Sequence, residues 1–529
     1  MAKYNRILAS VAMAAVIAPI GIGAMSFDIS TANAQQVSVE TLATMSADST
    51  AKLNIHSYNG APIGEAQDGQ KLPDTSNLGS PKSTTFKVYK INGLDFRNFE
   101  DWKTFTELKP ENIEASRDGS ATLVKAKLGL SLQPADTDTI TTDAGTGAGE
   151  AELPIGFYVV TQVAEDNLST VAPFFLSLPM TNADGTLNKD VHVYPKNQKI
   201  GIEKEGNYDK TQAGGTADYD ILADVPAPKA GNNNFTRYTI VDRQPSHIKA
   251  DENTIKVSIV NGKEKENAVA LEKGTDYDVR GSNNSANKND IIIEFTETGR
   301  EKLFNKYKEF KDNTKVNVTY TSNVDVDFGK NVNSIEELKQ NNKAFLFTDG
   351  TFGDPDNPGE PGDPGDDSTV KFTNLKIIKQ DGESKPIKTG ADFQLYRCDT
   401  TTADKPVTKG EALTVGNQST WTTGNDGDIT INGIKADDDA TDKVSYCLVE
   451  TKAPKGYVLR PEPFLVNLTS DRIEHEAKIE NLSNDSITGN LPRTGGAGMI
   501  ALIMAGVLAS GGAIAFMASS NRKKAKVTS

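Results

Sequence analysis

The sequence predicts an all-β chain of three tandem sandwiches, with an apolar segment at each end. Three observations lead there. Short runs rich in Val, Ile, Thr, Tyr and Phe, such as "TFKVYKI" and "SYCLVET", are separated by Gly, Asn, Asp and Pro along the interior. No long amphipathic helix or heptad pattern appears among them. The interior of this 529-residue chain is long enough for roughly three domains of ordinary size.

The N-terminal segment reads as an export signal, residues 1–34. Lys3 and Arg6 supply positive charge, Ile7 to Ala24 is apolar, and "TANAQQ" offers an A-x-A site with cleavage after Ala34. The mature chain is therefore expected to be secreted. A formal net charge of −15 argues against a nucleic-acid partner, which would want a basic face. The four histidines form no Ser/His/Asp or metal-ligand spacing, so neither an enzyme, a metal nor a cofactor is expected. Two cysteines in an exported chain make a disulfide possible.

Composition divides the interior. "GDPDNPGEPGDPGDD" at 353–367 alternates proline, glycine and acid, and reads as a semi-extended linker. A second boundary falls at "YPKNQ", giving segments 35–195, 196–352 and 368–490. The first and third share one pattern. Phe86 aligns with Phe393, Tyr89 with Tyr396, Tyr158 with Tyr446 and Phe174 with Phe464, and "LNIHS" at 53–57 aligns with "LKIIK" at 375–379. Order and spacing are both kept, so the two read as sandwiches of one topology. Cys398 then falls on Ile91 and Cys447 on Val159. Positions apolar in one copy and cysteine in the other are expected to face inward. A Cys398–Cys447 disulfide would close a loop of about 50 residues and contribute about 4 kcal/mol on the chain-entropy model. Two free buried thiols are the alternative.

Residues 491–529 carry three signals in fixed order. "LPRTGG" precedes the apolar run "AGMIALIMAGVLASGGAIAFMASS", which is long enough as a helix to span a bilayer core. The basic tail "NRKKAKVTS" should stay cytoplasmic. This pattern resembles the cell-wall sorting signal of Gram-positive surface proteins. The resemblance implies recognition of Leu491, Pro492, Arg493, Thr494 and Gly495 by a sortase, cleavage between Thr494 and Gly495, and only transient retention in the membrane.

The third segment is similar to collagen-adhesin B-type domains, of immunoglobulin-like fold, through "KQDGESKPIKTGADFQLY", "CLVETKAPKGY" and "AKIEN". That likeness implies an internal isopeptide bond between Lys379 and Asn481, promoted by Glu450. The chemistry explains the set. Burial favours the neutral forms of an amine and of a carboxylic acid, so the amine becomes nucleophilic and the protonated acid can polarise the Asn481 carbonyl by a hydrogen bond. Folding supplies an effective molarity of about 10⁵ M or more. The middle segment resembles the central, A-type domain of sortase-assembled pilins, which implies Lys204 as nucleophile and Asp242 as acid. Asn323 is the expected acceptor, with Asp325 and Asn342 as rivals. The first segment has Ser57 and Gln162 where the third has Lys379 and Glu450, so no bond is expected there.

"VHVYPKNQ" at 191–198 completes the pattern. Pro195 ends a strand and fixes its own φ, which pre-orders Lys196 at a domain junction. Tyr194, Pro195 and Lys196 match the pilin motif of Gram-positive shaft pilins of the actinomycete and corynebacterial type. The resemblance implies that a pilus-specific, class C sortase joins Thr494 of one subunit to Lys196 of the next. A housekeeping sortase then attaches the fibre to peptidoglycan. Identical subunits would be the main partners, with tip or minor pilins beside them and a role in adhesion through an unidentified host or bacterial receptor. A wall-anchored adhesin that does not polymerise is the alternative.

Overall fold

The structure is a computed structural model. It describes residues 45–46, 48–59, 68–124, 129–165, 168–228, 234–359, 363–388, 390–399, 406–437 and 445–485. The export signal with Ala34 and the whole sorting signal, Leu491 to Gly495 with its expected helix and basic tail, lie outside these residues.

In the first sandwich, strand Thr50–His56 lies between Asp190–Val193, parallel to it, and Ala148–Pro154, antiparallel. The opposing sheet runs Phe174–Leu178, Gly156–Gln162, Thr85–Asn92, Ser131–Thr141. Strand alternation sends Leu53, Ile55, Phe86, Val88, Tyr158 and Val160 into the space between the sheets. The other face of the four-stranded sheet is also apolar. Tyr89, Ile91, Phe157 and Val159 form a second core there. It is covered by helix Phe99–Glu107, whose Asn98 cap accepts from the Glu100 amide, and whose Phe105 stacks on Phe157 with centroids 4.4 Å apart.

The central sandwich packs a sheet ordered Ile202–Asn207, Thr216–Asp224, Thr314–Val324, Lys256–Asn261, Glu264–Leu271 against one containing Tyr277–Gly281, Ile291–Phe295, Tyr238–Arg243 and Lys339–Thr348. This second sheet continues into the third domain through one strand, Gly365–Gln380. Its first part pairs with 339–345, and from Lys371 onward it pairs with Asp428–Ala436 and, in parallel, with Glu474–Glu480. The remaining sheet of the third domain is built on Asp392–Asp399, Ser445–Lys452 and Phe464–Asn467.

Two expected boundaries move. Gly365, Asp366 and Asp367, placed in the linker by composition, bond as strand residues to Phe345, Ala344 and Lys343. Upstream, Asp356 takes an ion pair from Arg280 at 2.8 Å, and Asp363 is paired with Arg117 of the first domain. The acidic segment is thus tethered on both sides. The junction at 195/196 also shifts, because Lys196–Lys199 pairs with Tyr58–Asn59 and Leu168–Ser169 and so belongs to the first domain's sheets.

Candidate functional site

In the third domain, Lys379 lies at the inner end of its first strand with a side chain of 0% exposure. Its Nζ is 3.1 Å from Glu450 Oε1, on the opposing sheet, and makes a contact with Asn481 Oδ1. Asn481, one residue past strand Glu474–Glu480, donates its Nδ2 to both Glu450 oxygens at 3.0 and 2.9 Å and to the Val458 carbonyl at 2.9 Å. The Arg460 amide donates to Glu450 Oε2 at 2.8 Å, and the Phe393 ring lies 5.7 Å from Nζ. Burial lowers the Lys379 pKa, with Glu450 acting in the opposite sense. The three residues singled out from sequence are therefore brought together. One detail differs from the expectation: Glu450 meets Asn481 at its amide nitrogen rather than at its carbonyl.

The central domain builds a comparable cluster between its sheets. Lys204 and Asp242 have side chains 0% and 1% exposed, with Nζ 2.7 Å from Oδ2. Lys204 also donates to Tyr320 Oη at 3.0 Å, and Tyr320 in turn donates to Asp242. Burial lowers the Lys204 pKa and raises that of Tyr320. The buried amide here is Asn342, whose Nδ2 donates to Tyr320 Oη at 2.9 Å. Asn323 is corrected: it is an exposed residue of strand Thr314–Val324, because Val318, Tyr320 and Ser322 take the inward positions and strand alternation turns it outward. Asp325 is on the surface beside His247, 3.4 Å away. Tyr320 and Tyr219, whose ring lies 4.7 Å from Lys204 Nζ, escaped the sequence reading. Their signal was present: tyrosines in the inward register of strands facing a buried lysine.

Cys398 and Cys447 form a disulfide, with Cα atoms 5.0 Å apart. Their expected direction is corrected. The core side of this sheet carries Phe393, Leu395, Tyr446 and Leu448, so the cysteines, alternating with them, lie on the opposite face. Ile91 and Val159 do the same in the first domain, where that face has its own core.

In the first domain the register repeats that of the third. Phe86 pairs with Gln162 as Phe393 pairs with Glu450, and Phe174 with Val160 as Phe464 with Leu448. Ser57 and Gln162 are both buried. Lys196 begins the strand Lys196–Lys199, and Lys196 and Asn197 pair with Tyr58 and Asn59. Just before it, Tyr194 accepts a bond from the Leu72 amide at 2.9 Å and stacks on His56 at 4.4 Å.

Comparison with known proteins bears on this arrangement. Residues 33–198 match the model of the Gram-positive pilin subunit D1, N-terminal domain, and residues 483–526 match the LPXTG cell wall anchor motif. The chain is a Gram-positive pilin. Residues 373–483 of this pilin match the SpaA prealbumin-like fold domain. It is 29% identical over 519 residues to fimbrial subunit type 1 of Actinomyces viscosus, covering 91% of this chain and 93% of that one. Fimbrial subunit type 2 of Actinomyces naeslundii is 28% identical over 563 residues, covering 95% of each. The fold is that of the full-length major pilin SpaD of Corynebacterium diphtheriae, with TM-score 0.59, 23% identity and coverage of 84% of this chain and 99% of that one. The Corynebacterium diphtheriae major pilin SpaA gives TM-score 0.56 at 21% identity, over 82% and 100%. The pilin is thus a structural subunit of a surface pilus anchored to the cell wall.

Proposed function

We propose that this pilin forms a doubly covalent shaft: subunits joined by a class C sortase through Lys196 and Thr494, and domains locked internally by Lys379–Asn481 and Lys204–Asn342 bonds. The observation that carries the internal bonds is the sealed contact of Lys379, Glu450 and Asn481. Lys379 Nζ, kept neutral by burial, attacks the Asn481 carbonyl carbon. The new N–C bond forms, the C–Nδ2 bond breaks, and Glu450 passes the proton lost by the lysine to the departing nitrogen, which leaves as ammonia. Its position at Nδ2 suits that transfer. In the central domain Asp242, touched by both Lys204 and Tyr320, takes the same part.

Each bond would connect a strand at the start of its domain to residues at its end, so a pulled domain could not unravel past the tie. Thr494 and Lys196 extend that logic between molecules. A head-to-tail link between different surfaces propagates without closing and gives a fibre. Pilus-specific and housekeeping sortases, peptidoglycan and a minor pilin complete the assembly.

An immunoblot of wall extracts tests the intermolecular link. Lys196→Ala should remove the high-mass ladder and leave wall-attached monomer, whereas Thr494→Ala should lose both. A full ladder in Lys196→Ala would refute the assignment and move the link to another lysine, whereas wall-attached monomer without any ladder from the natural chain would leave a wall adhesin that does not polymerise. For the internal bonds, intact mass should be lower than the mature sequence mass by two ammonias, beyond the two hydrogens lost in the disulfide. Glu450→Ala should retain one of them.

A further inference from the structure

The first domain contains a buried polar set that the proposed chemistry does not use. Strand Thr50–His56 stands between a parallel and an antiparallel neighbour, as Gly365–Gln380 does in the third domain. Ile55 pairs with Val193, and Ile377 with Ala477. Two residues on from the isoleucines stand Ser57 and Lys379. Four residues on from their partners stand Asn197 and Asn481. Asn197, the residue after Lys196, is thus the counterpart of the cross-linking amide.

Its contacts agree. Asn197 has 0% exposure, and its Nδ2 donates to Ser57 Oγ at 2.7 Å, where the third domain has the Lys379–Asn481 contact. Ser57 Oγ is also 2.8 Å from Thr84 Oγ1. Gln162 Oε1 accepts from the Val171 amide at 3.0 Å, as Glu450 accepts from the Arg460 amide. Two buried atoms there have no partner: a donor, Gln162 Nε2, and an acceptor, Asn197 Oδ1. Apolar residues of similar shape could replace such a set at little cost, so its presence in the interior needs a use. Fixing register is the best-attested use of buried polar groups. Register needs fixing here, because the ladder between Lys196–Asn197 and Tyr58–Asn59 is two residues long.

We propose that the first domain keeps the cross-linking site of the third in non-covalent form. Asn197, bonded to Ser57, is then a positioning residue that fixes the strand start carrying Lys196 for transfer. The proposal rests on Lys196 being the polymerising nucleophile. A reversible hydrogen bond there sets the backbone without a covalent bond beside the acceptor.

The test uses the full chain and its pilus sortase, with Lys196→Ala as control. Asn197→Ala should slow ladder formation by about ten- to a hundredfold, as misplacement of a reacting group does, at unchanged monomer level. The graft Ser57→Lys with Gln162→Glu restores nucleophile and acid. It should lose one further ammonia, mapped to a peptide joining position 57 to Asn197. It should also form ladder at least as fast as the natural chain, since the strand is then held by a bond. Normal ladder rate in Asn197→Ala would overturn the positioning role. A folded graft retaining its ammonia would overturn the equivalence of the sites, and should the graft not fold, the Asn197→Ala rate decides. Ladder in Lys196→Ala would instead remove the polymerisation assignment, which the ammonia readout does not depend on.

Discussion

The first and third domains are one topology stabilised in two ways. Inside, the third places Lys379, Glu450 and Asn481 where the first places Ser57, Gln162 and Asn197. Outside, the third binds neighbouring strands with Cys398–Cys447, whereas the first covers the same positions, Ile91 and Val159, with a helix and a second aromatic core. The disulfide, with the proposed Lys379–Asn481 bond, would therefore substitute for packing that the smaller domain lacks. The first domain, with no tie of either kind among its described residues, should unfold as an ordinary domain of ~5–15 kcal/mol.

The comparison breaks most sharply at Lys379. Lys379→Met removes the nucleophile while keeping a chain of similar reach in the core. The third domain should retain its ammonia and lose about 4–5 kcal/mol, the chain-entropy value for closing a loop of ~100 residues. Intact mass and calorimetry of the full mature chain check this. An unchanged upper melting transition would mean the bond does not stabilise the domain. Reducing the disulfide should have the next largest effect. Cys398→Ser with Cys447→Ser removes a closure worth about 4 kcal/mol alone. The effect should be smaller in the natural chain, because the proposed 379–481 link would already enclose both cysteines, and should grow in the Lys379→Met background. Melts of the four combinations measure that coupling.

These features were unevenly legible. The duplication could be read because strand register preserves side-chain order, so Phe86/Phe393 and Tyr158/Tyr446 remain in step despite different loops. Lys379, Glu450 and Asn481 came instead from the likeness of the third segment to collagen-adhesin B-type domains, and the structure brings them together. Asn323 was misjudged although period-two alternation from Val318 and Tyr320 turns it outward; the better signal was Gln340 and Asn342 on the inward register of an apolar strand. The cysteine direction failed because apolar counterparts were taken to mean one core, and the first domain has two. The tethering of Asp356 by Arg280 and of Asp363 by Arg117 joins residues far apart in sequence, and composition carries no trace of it.

The smallest expected difference is acid sensitivity, and it should belong to the first domain. His56 Nε2 lies 2.8 Å from His192 Nδ1 in a buried pair, with Tyr194 stacked on His56 and Asp190 Oδ2 3.4 Å from the far side of His192. Burial first, then the positive charges of His192 and Lys71, push the His56 pKa down to about 4. An unfolded histidine titrates near 6.5. Between these values the unfolded chain takes up a proton that the folded domain refuses, so stability present above pH 6.5 is lost as pH falls toward 4. The full window corresponds to about 3 kcal/mol. Acid would thus loosen the pairing of Thr50–His56 with Asp190–Val193, directly before Lys196. The third domain has Ile378 and Glu476 at the aligned positions and should not share this loss. Thermal melts at pH 7 and 4.5 should separate the transitions further in acid, and His56→Ile, the residue its sibling carries, should bring them closer again. An acid shift unchanged by His56→Ile would assign the sensitivity to other groups.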